Sequence, residues 1–337
     1  MTSDSPPASL PSWWRLIVGV LLLVLLWHLR GPLVLFFGAV LVGAALCALA
    51  APLTRRTRLG QRTAVALVAL GIVAATALGV WALGDPLAEQ LHGLRSTLPK
   101  AWHALQEWLQ RSPLGMRVLE WIGQLGDAEL PWASIAGIAT GAAQVVSGAV
   151  LVLLMGLYLA LDVRLYRNGL LRLVPPARRA QAADALDATG EALTRWLVGQ
   201  GVMMLVIGVA VAIGLGLLGM PLALALGVIA GLLEFVPFIG PIVAGLLAVL
   251  VGFGQGPTQA LYVALLFVAL QQVENHVLVP MVQRWAVELP PVLTLGGVVV
   301  FGALFGPLGV VFGTPLMVVA MVLVQRLYVE DTLERRG

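Results

Sequence analysis

Between Trp196 and Val273 the chain carries a single formal charge, Glu234. A carboxyl alone in so long an apolar stretch is costly, and such residues face a cavity or a partner rather than lipid. It lies in Gly231-Leu-Leu-Glu-Phe-Val-Pro-Phe-Ile-Gly-Pro241, so Pro237, Gly240 and Pro241 follow it closely. Proline lacks the amide that a helix needs, so the helix carrying Glu234 must break almost at once and free backbone groups beside an ionisable side chain. In a bilayer that combination points first to a transport site.

The bilayer itself follows from charge-free length. Uncharged runs extend over Gly31–Thr54, Thr63–Gly84, Leu130–Leu161, Trp196–Leu233, Phe235–Val273 and Leu289–Gln325. Each exceeds the roughly 20 residues that cross about 30 Å of hydrocarbon, and the last three are long enough for two passes or a pair of half-crossings. Hydrophobic residues are 60% of the 337 and charged residues 11%, against about 45–50% and about 25% in soluble domains. The shorter run Leu16–Leu29 also spans if Trp13, Trp14, Arg15 and Arg30 sit at the interfaces. It is expected to be kept as the first membrane helix, since Arg30-Gly-Pro32 offers no small-residue cleavage site.

Charge sets the expected orientation. Arg55, Arg56, Arg58 and Arg62 crowd one short loop, and Asp162 to Arg195 holds six arginines against four acids. Residues 84 to 133 carry four basic groups against six acidic ones. The positive-inside rule then puts the arginine-rich loops and both termini in the cytoplasm, with 84–133 outside. A net charge of +3 leaves no nucleic-acid footprint. The solitary Cys47 excludes an intramolecular disulfide and reads as a small packed hydrophobe.

The expected fold class is all-α: a polytopic integral membrane protein of about eight transmembrane segments, some of them broken or re-entrant half-helices, with an amphipathic external helical segment. Its parts are a three-helix membrane region (1–83), the external segment (84–133), a membrane helix (134–161), a cytoplasmic basic segment (162–195), a transport core with broken helices (196–327) and a cytoplasmic tail (328–337). In the external segment Leu87, Leu91, Leu94, Leu98, Trp102, Leu105, Trp108 and Leu109 recur at three- and four-residue spacings, which predicts one or two amphipathic helices. They could lie on the outer leaflet, cap a pore or pack between subunits. Val174-Pro-Pro176 breaks the cytoplasmic segment before an amphipathic helix from Ala177 into the span at Trp196. Near the C-terminus, Leu222–Val236 and Ile242–Phe253 flank one break, while Leu293–Leu304 and Leu308–Val324 flank Phe305-Gly306-Pro307. Paired interrupted segments point to a transporter's binding site. Whether 222–253 and 289–325 are re-entrant or kinked crossings is open at this stage.

Two polar clusters could carry chemistry. Glu234, near the end of a half-helix, is a candidate proton carrier or, when ionised, a cation ligand. Pro241 after Gly240 is placed to open the second half-helix, whose free amides would favour an anionic or carbonyl-bearing solute. The second cluster is Gln271-Gln272-Val273-Glu274-Asn275-His276; Gln271 and Asn275 share a helix face, as do Gln272 and His276. Glu234 could instead pair with a buried arginine or cap backbone amides, and the second cluster could pack against another helix or mark the end of the span. Enzyme motifs are missing. There is no His-Glu-x-x-His helix, no Gly-x-Ser-x-Gly elbow and no phosphate loop, and Lys100 is the one lysine. No cofactor, metal site or direct use of ATP is expected.

At these clusters the chain resembles the autoinducer-2 exporter (AI-2E) family, the PerM-like permeases. The residues that carry the resemblance are Arg195 with Gly199-Gln200, Gly219-Met-Pro221, Glu234-Phe-Val-Pro-Phe-Ile-Gly-Pro241, Gln272-x-Glu274-Asn275 with Pro280, and Phe305-Gly-Pro-Leu-Gly309 with Pro315. They extend over about 130 residues, while the N-terminal half matches in hydropathy layout only. The resemblance implies a homo-oligomeric protein of the bacterial inner membrane that exports a small polar solute such as autoinducer-2, or exchanges Na+ or Li+ for protons as some relatives are held to do. The expected pathway comprises Glu234, Pro237, Gly240, Pro241, Gln272, Glu274, Asn275, Gly306 and Pro307, with a solute and H+ or Na+ as partners besides the bilayer. A non-transporting scaffold is the rival of another class, with the polar clusters as packing glue.

Overall fold

The computed structural model describes residues 27–124, 147–283 and 289–333, together with Ile17, Leu21, Val24 and Leu25, and among these every regular element is a helix. Most of the expected 13–30 helix, Trp132, the first half of 134–161, Arg284, Glu288 and the last four residues lie outside the described set. The helices are α1 (Arg30–Arg56), α2 (Gln61–Gln110), α3 (Pro113–Gln124), α4 (Ser147–Leu161), α5 (Val163–Arg172), α6 (Arg179–Leu217), α7 (Ala223–Leu233), α8 (Ile239–Phe253), α9 (Pro257–Val273), α10 (Pro291–Phe305) and α11 (Pro307–Val324). After α9 the chain runs on through a π turn, Glu274–Leu278, into Val279–Gln283. Proline opens α9, α10 and α11 at their first positions, where its missing amide costs nothing.

Five of the described helices are long and apolar enough to cross a membrane, or six if α4 and α5, bent by 84°, form one span. About eight segments, half-helices included, are expected; with the short helices α7, α8 and α10 counted apart, the described residues do not fix that exact number. These three are apolar but short, because Pro237 and Gly306-Pro307 divide their runs into hairpins.

Glycine seams hold the hairpins together. A methyl added at Gly208 of α6 would meet the Gly227 carbonyl at 3.1 Å, and one at Gly231 of α7 would meet the Met204 carbonyl at 2.7 Å. Rising numbers on one helix meet falling numbers on the other, so α6 and α7 are antiparallel. Close backbone approach of this kind replaces the hydrophobic effect as the force that joins helices in lipid. The α8–α9 pair is likewise antiparallel, with Gly252 against Ala260 and Gly245 against Phe267. In the α10–α11 pair Gly297 meets Gly313 and Gly302 meets Val310. Gly306, at φ 68° and ψ −148°, makes the turn between them in backbone that side chains avoid.

These contacts settle the open question at 222–253. Gln259 Nε2 donates to the Leu218 carbonyl at 2.6 Å, so the loops before α7 and after α8 lie at the same end of the molecule. Residues 223–253 enter and return at that end, as a re-entrant hairpin.

Helix α2 covers that end. It is continuous over 50 residues, about 75 Å at 1.5 Å per residue, and runs past Gly84 without the expected boundary. Pro86 and Pro99 both lie inside it. Two members of the predicted leucine stripe pack on protein, Leu94 and Leu98 being buried with Leu222, Leu226 and Val251, while Leu91 is exposed. Trp108 lies 5.5 Å from Phe253, ring to ring. Ala225 N–H, in the first turn of α7, donates to Gln90 Oε1 at 3.0 Å, so α2 caps the re-entrant helix.

At the opposite end the arginines are tied to acids. Arg167 donates to Asp187 at 2.7 and 2.5 Å, Arg326 pairs with Asp184 at 3.4 Å, and Arg62 pairs with Asp162.

Candidate transport site

The tip of the α7–α8 hairpin reaches α6 at Gln200, whose Nε2 donates to the Glu234 carbonyl at 2.5 Å. Phe235 packs edge-to-face on Trp196 with centroids 5.6 Å apart. Around this tip lies a half-open cavity of about 560 Å³, lined by Trp196, Gly199, Gln200 and Met203 of α6, the end of α9 with its π turn, and the facing residues Thr294 of α10 and Thr314 of α11.

Two carboxyls face it. Glu234 is 3% exposed and Glu274 9%, and both belong to the same lining. Glu234 Oε2 is buried with no hydrogen-bond partner. The cavity lining contains no Lys, Arg or His among the described residues, while Gln200, Gln271, Asn275, Thr294 and Thr314 supply uncharged polar groups. Carboxyls buried in apolar surroundings without a cationic neighbour are costly in the ionised form. Wider π turns recur at functional sites, and here one turns Glu274 and Asn275 into the cavity.

The expected residues divide into two groups. Glu234, Pro237, Glu274 and Asn275 line the cavity. Gly240 is buried behind it, where a Cβ would collide with the Leu233 carbonyl oxygen. Pro241 follows in the first turn of α8 without reaching the lining, and Gln272 is exposed on the far face, its carbonyl paired with His276 Nδ1 at 2.9 Å. Gly306 and Pro307 form the tip of the other hairpin, outside the cavity that its Thr294 and Thr314 line.

The amides expected to be free at the start of α8 are already engaged. Ile239 N–H donates to Pro237 at 2.8 Å and Gly240 N–H to Val236 at 2.9 Å, and Pro241 has none. An anion site on that helix end does not follow from this geometry. Gln200, Thr294 and Thr314 were absent from the expected set, though the sequence marks them. Gln200 is the one polar uncharged side chain between Trp196 and Glu234, and the two threonines are the only ones between Pro290 and Gln325.

A family model described as AI-2E family transporter matches residues 16–328. YueF of Bacillus subtilis (strain 168), named as a transport protein, is 26% identical over 162 residues, 48% of this chain and 44% of that protein. A protein of Mycobacterium tuberculosis (strain CDC 1551 / Oshkosh), also named as a transport protein, is 33% identical over 147 residues, 42% of this chain and 40% of its own length. PerM of Escherichia coli (strain K12), named as a permease, is 27% identical over 245 residues, 71% of this chain and 68% of that one. The chain thus spans under half the length of the first two and about two thirds of the third. Because the family match runs through every membrane helix described above and through the whole cavity, the chain belongs to the AI-2E family of transporters.

Proposed function

We propose that the chain is a secondary transporter that carries a small polar solute, an autoinducer-2-like signal or related metabolite, out across the bacterial inner membrane, coupled to protons through Glu234 and Glu274. One observation carries the reading: two buried carboxyls, one with an unpartnered oxygen, face a polar cavity at the tip of a re-entrant hairpin, with no cationic side chain among the described residues of its lining. Broken helices that place ionisable groups within the membrane are the usual construction of a coupled transport site. The polar amides and hydroxyls around the pair suit a neutral, hydroxyl-bearing solute. On this reading the solute leaves chemically unchanged, the arginine-rich loops and both termini face the cytoplasm, and the protein works as a homo-oligomer.

The test is an untargeted comparison of metabolites inside and outside cells with and without the protein. A single polar metabolite that accumulates inside deletion cells and is extruded by reconstituted protein supports the proposal; identical pools with no flux in vesicles oppose it.

The same lining favours a second reading, exchange of Na+ or Li+ for protons, because two carboxyls with oxygen-bearing neighbours suit a monovalent cation. Dequenching of a pH dye in vesicles on adding Na+ or Li+ separates the two readings. If alanine at Glu234 and Glu274 abolishes assembly and wild type moves neither solute nor ion, the clusters are packing glue of a scaffold.

A further inference from the structure

Phe238, at the hairpin tip between Glu234 and α8, has φ 66° and ψ −49°. Its neighbours close a three-residue ring across it, with Ile239 N–H donating to the Pro237 carbonyl at 2.8 Å. This is a γ-turn of the positive-φ kind, rare and strained for a side-chain-bearing residue. Strained backbone persists where the surroundings over-determine it, and such residues gather at clamps and switches. Both flanks here are fixed. On one side Gln200 holds the Glu234 carbonyl and Phe235 rests on Trp196. On the other, Gly240 N–H is bonded to Val236 and its Cα sits hard against Leu233. Pro237 and Pro241 add fixed φ angles at either side. All the strain of the tip is thus concentrated on one residue, whose ring also lines the cavity.

We propose that Phe238 controls access to the Glu234–Glu274 cavity: its γ-turn holds the narrower state of a two-state hinge, and relaxation of Phe238 to negative φ swings the ring from the wall and widens the way in. Opening also breaks the bond between Ile239 N–H and the Pro237 carbonyl. It leaves one donor and one acceptor at the cavity wall, a pair that suits a solute bearing a hydroxyl or carbonyl group. The inference extends the transport reading, but its test needs no transported solute.

The measurement is the rate at which N-ethylmaleimide labels a cysteine in the cavity of the full-length protein reconstituted in lipid. Thr314→Cys, at a position 2% exposed, is the probe in a Cys47→Ser background, which removes the single native cysteine. Phe238→Ala removes the ring and keeps the strain, whereas Phe238→Gly removes both, because glycine adopts positive φ freely. The expected order is fastest labelling in Phe238→Ala, with Phe238→Gly slower than it by about fivefold or more, as a strain of that class implies, and with wild type slowest. Equal rates in the alanine and glycine variants would overturn the hinge. Rates equal to wild type in both would overturn the gate as well. Leu173→Cys, 83% exposed at the far end, must label alike in all three backgrounds, which separates opening of the cavity from unfolding. A chain that transports nothing would still give the predicted order, so this test and the transport assays fail independently.

Discussion

Gly240 shows how one hydrogen atom shapes the site. Its Cα packs on the Leu233 carbonyl, so Gly240→Ala forces the two half-helices apart, at a cost of about 1–3 kcal/mol from overpacking. Gly201 is a built-in control. It sits on α6 with nothing within 4 Å of an added Cβ, so Gly201→Ala should stabilise by about 0.5–1 kcal/mol through helix propensity. Thermal unfolding in detergent should therefore shift in opposite directions for the two variants. At this scale the sequence displayed Glu234 and Glu274 because charge is conspicuous among apolar residues. It concealed that Gln271 rather than Gln272 faces the cavity. Helical spacing pairs Gln271 with Asn275 and Gln272 with His276 equally well, and only the packing of α9 on its neighbours chooses the face.

The elements were legible wherever proline and glycine divide apolar runs. Both hairpins lie within a few residues of their expected bounds, since Pro237 and Gly306-Pro307 leave the helix no continuation. Their sense was not legible, because the same apolar length serves a kinked crossing or a return. The contacts along the glycine seams decide it, because they pair the helices antiparallel. Gly227→Val should split α6 from α7, since even a Cβ there would meet that of Ala212 at 2.5 Å. Lowered thermal stability and loss of flux are expected, whereas Gly216→Val, with open space around it, should be mild. The re-entrant sense also predicts that Gln255→Cys, in the loop after α8, is labelled by an impermeant reagent from the face that exposes His103→Cys. Labelling from the opposite face would restore a full crossing.

Across the whole molecule, the end near α5 is fastened by ion pairs and the other end by α2. Asp187 sits beside the Arg167 guanidinium, whose hydrogen bonds hold its carboxyl below the ordinary value. A carboxyl lowered on folding adds stability at pH above its unfolded value, about 4, and loses it as pH falls through the lower folded value. Asp187→Asn should thus destabilise slightly at pH 7 and low salt, with the difference from wild type fading in 1 M salt, which reduces the screening length to about 3 Å, and again at pH well below 4. Asp187 is exposed and Arg167 partly so, and the effect of such a surface pair is small. The continuity of α2 over the hairpin ends could not be read from its sequence, because Asp85-Pro86 resembles a helix stop and only the long-range packing of Leu94 and Leu98 holds the helix in place.

The account as a whole depends on Glu234 exchanging its proton during transport. The most direct measurement is flux into reconstituted vesicles across a series of imposed pH gradients, wild type against Glu234→Gln, which keeps the shape and removes the exchangeable charge. Proton coupling predicts that wild-type flux follows the gradient and that the variant, folded and reconstituted equally well, loses that dependence. A variant that transports with the wild-type pH dependence would contradict the central claim.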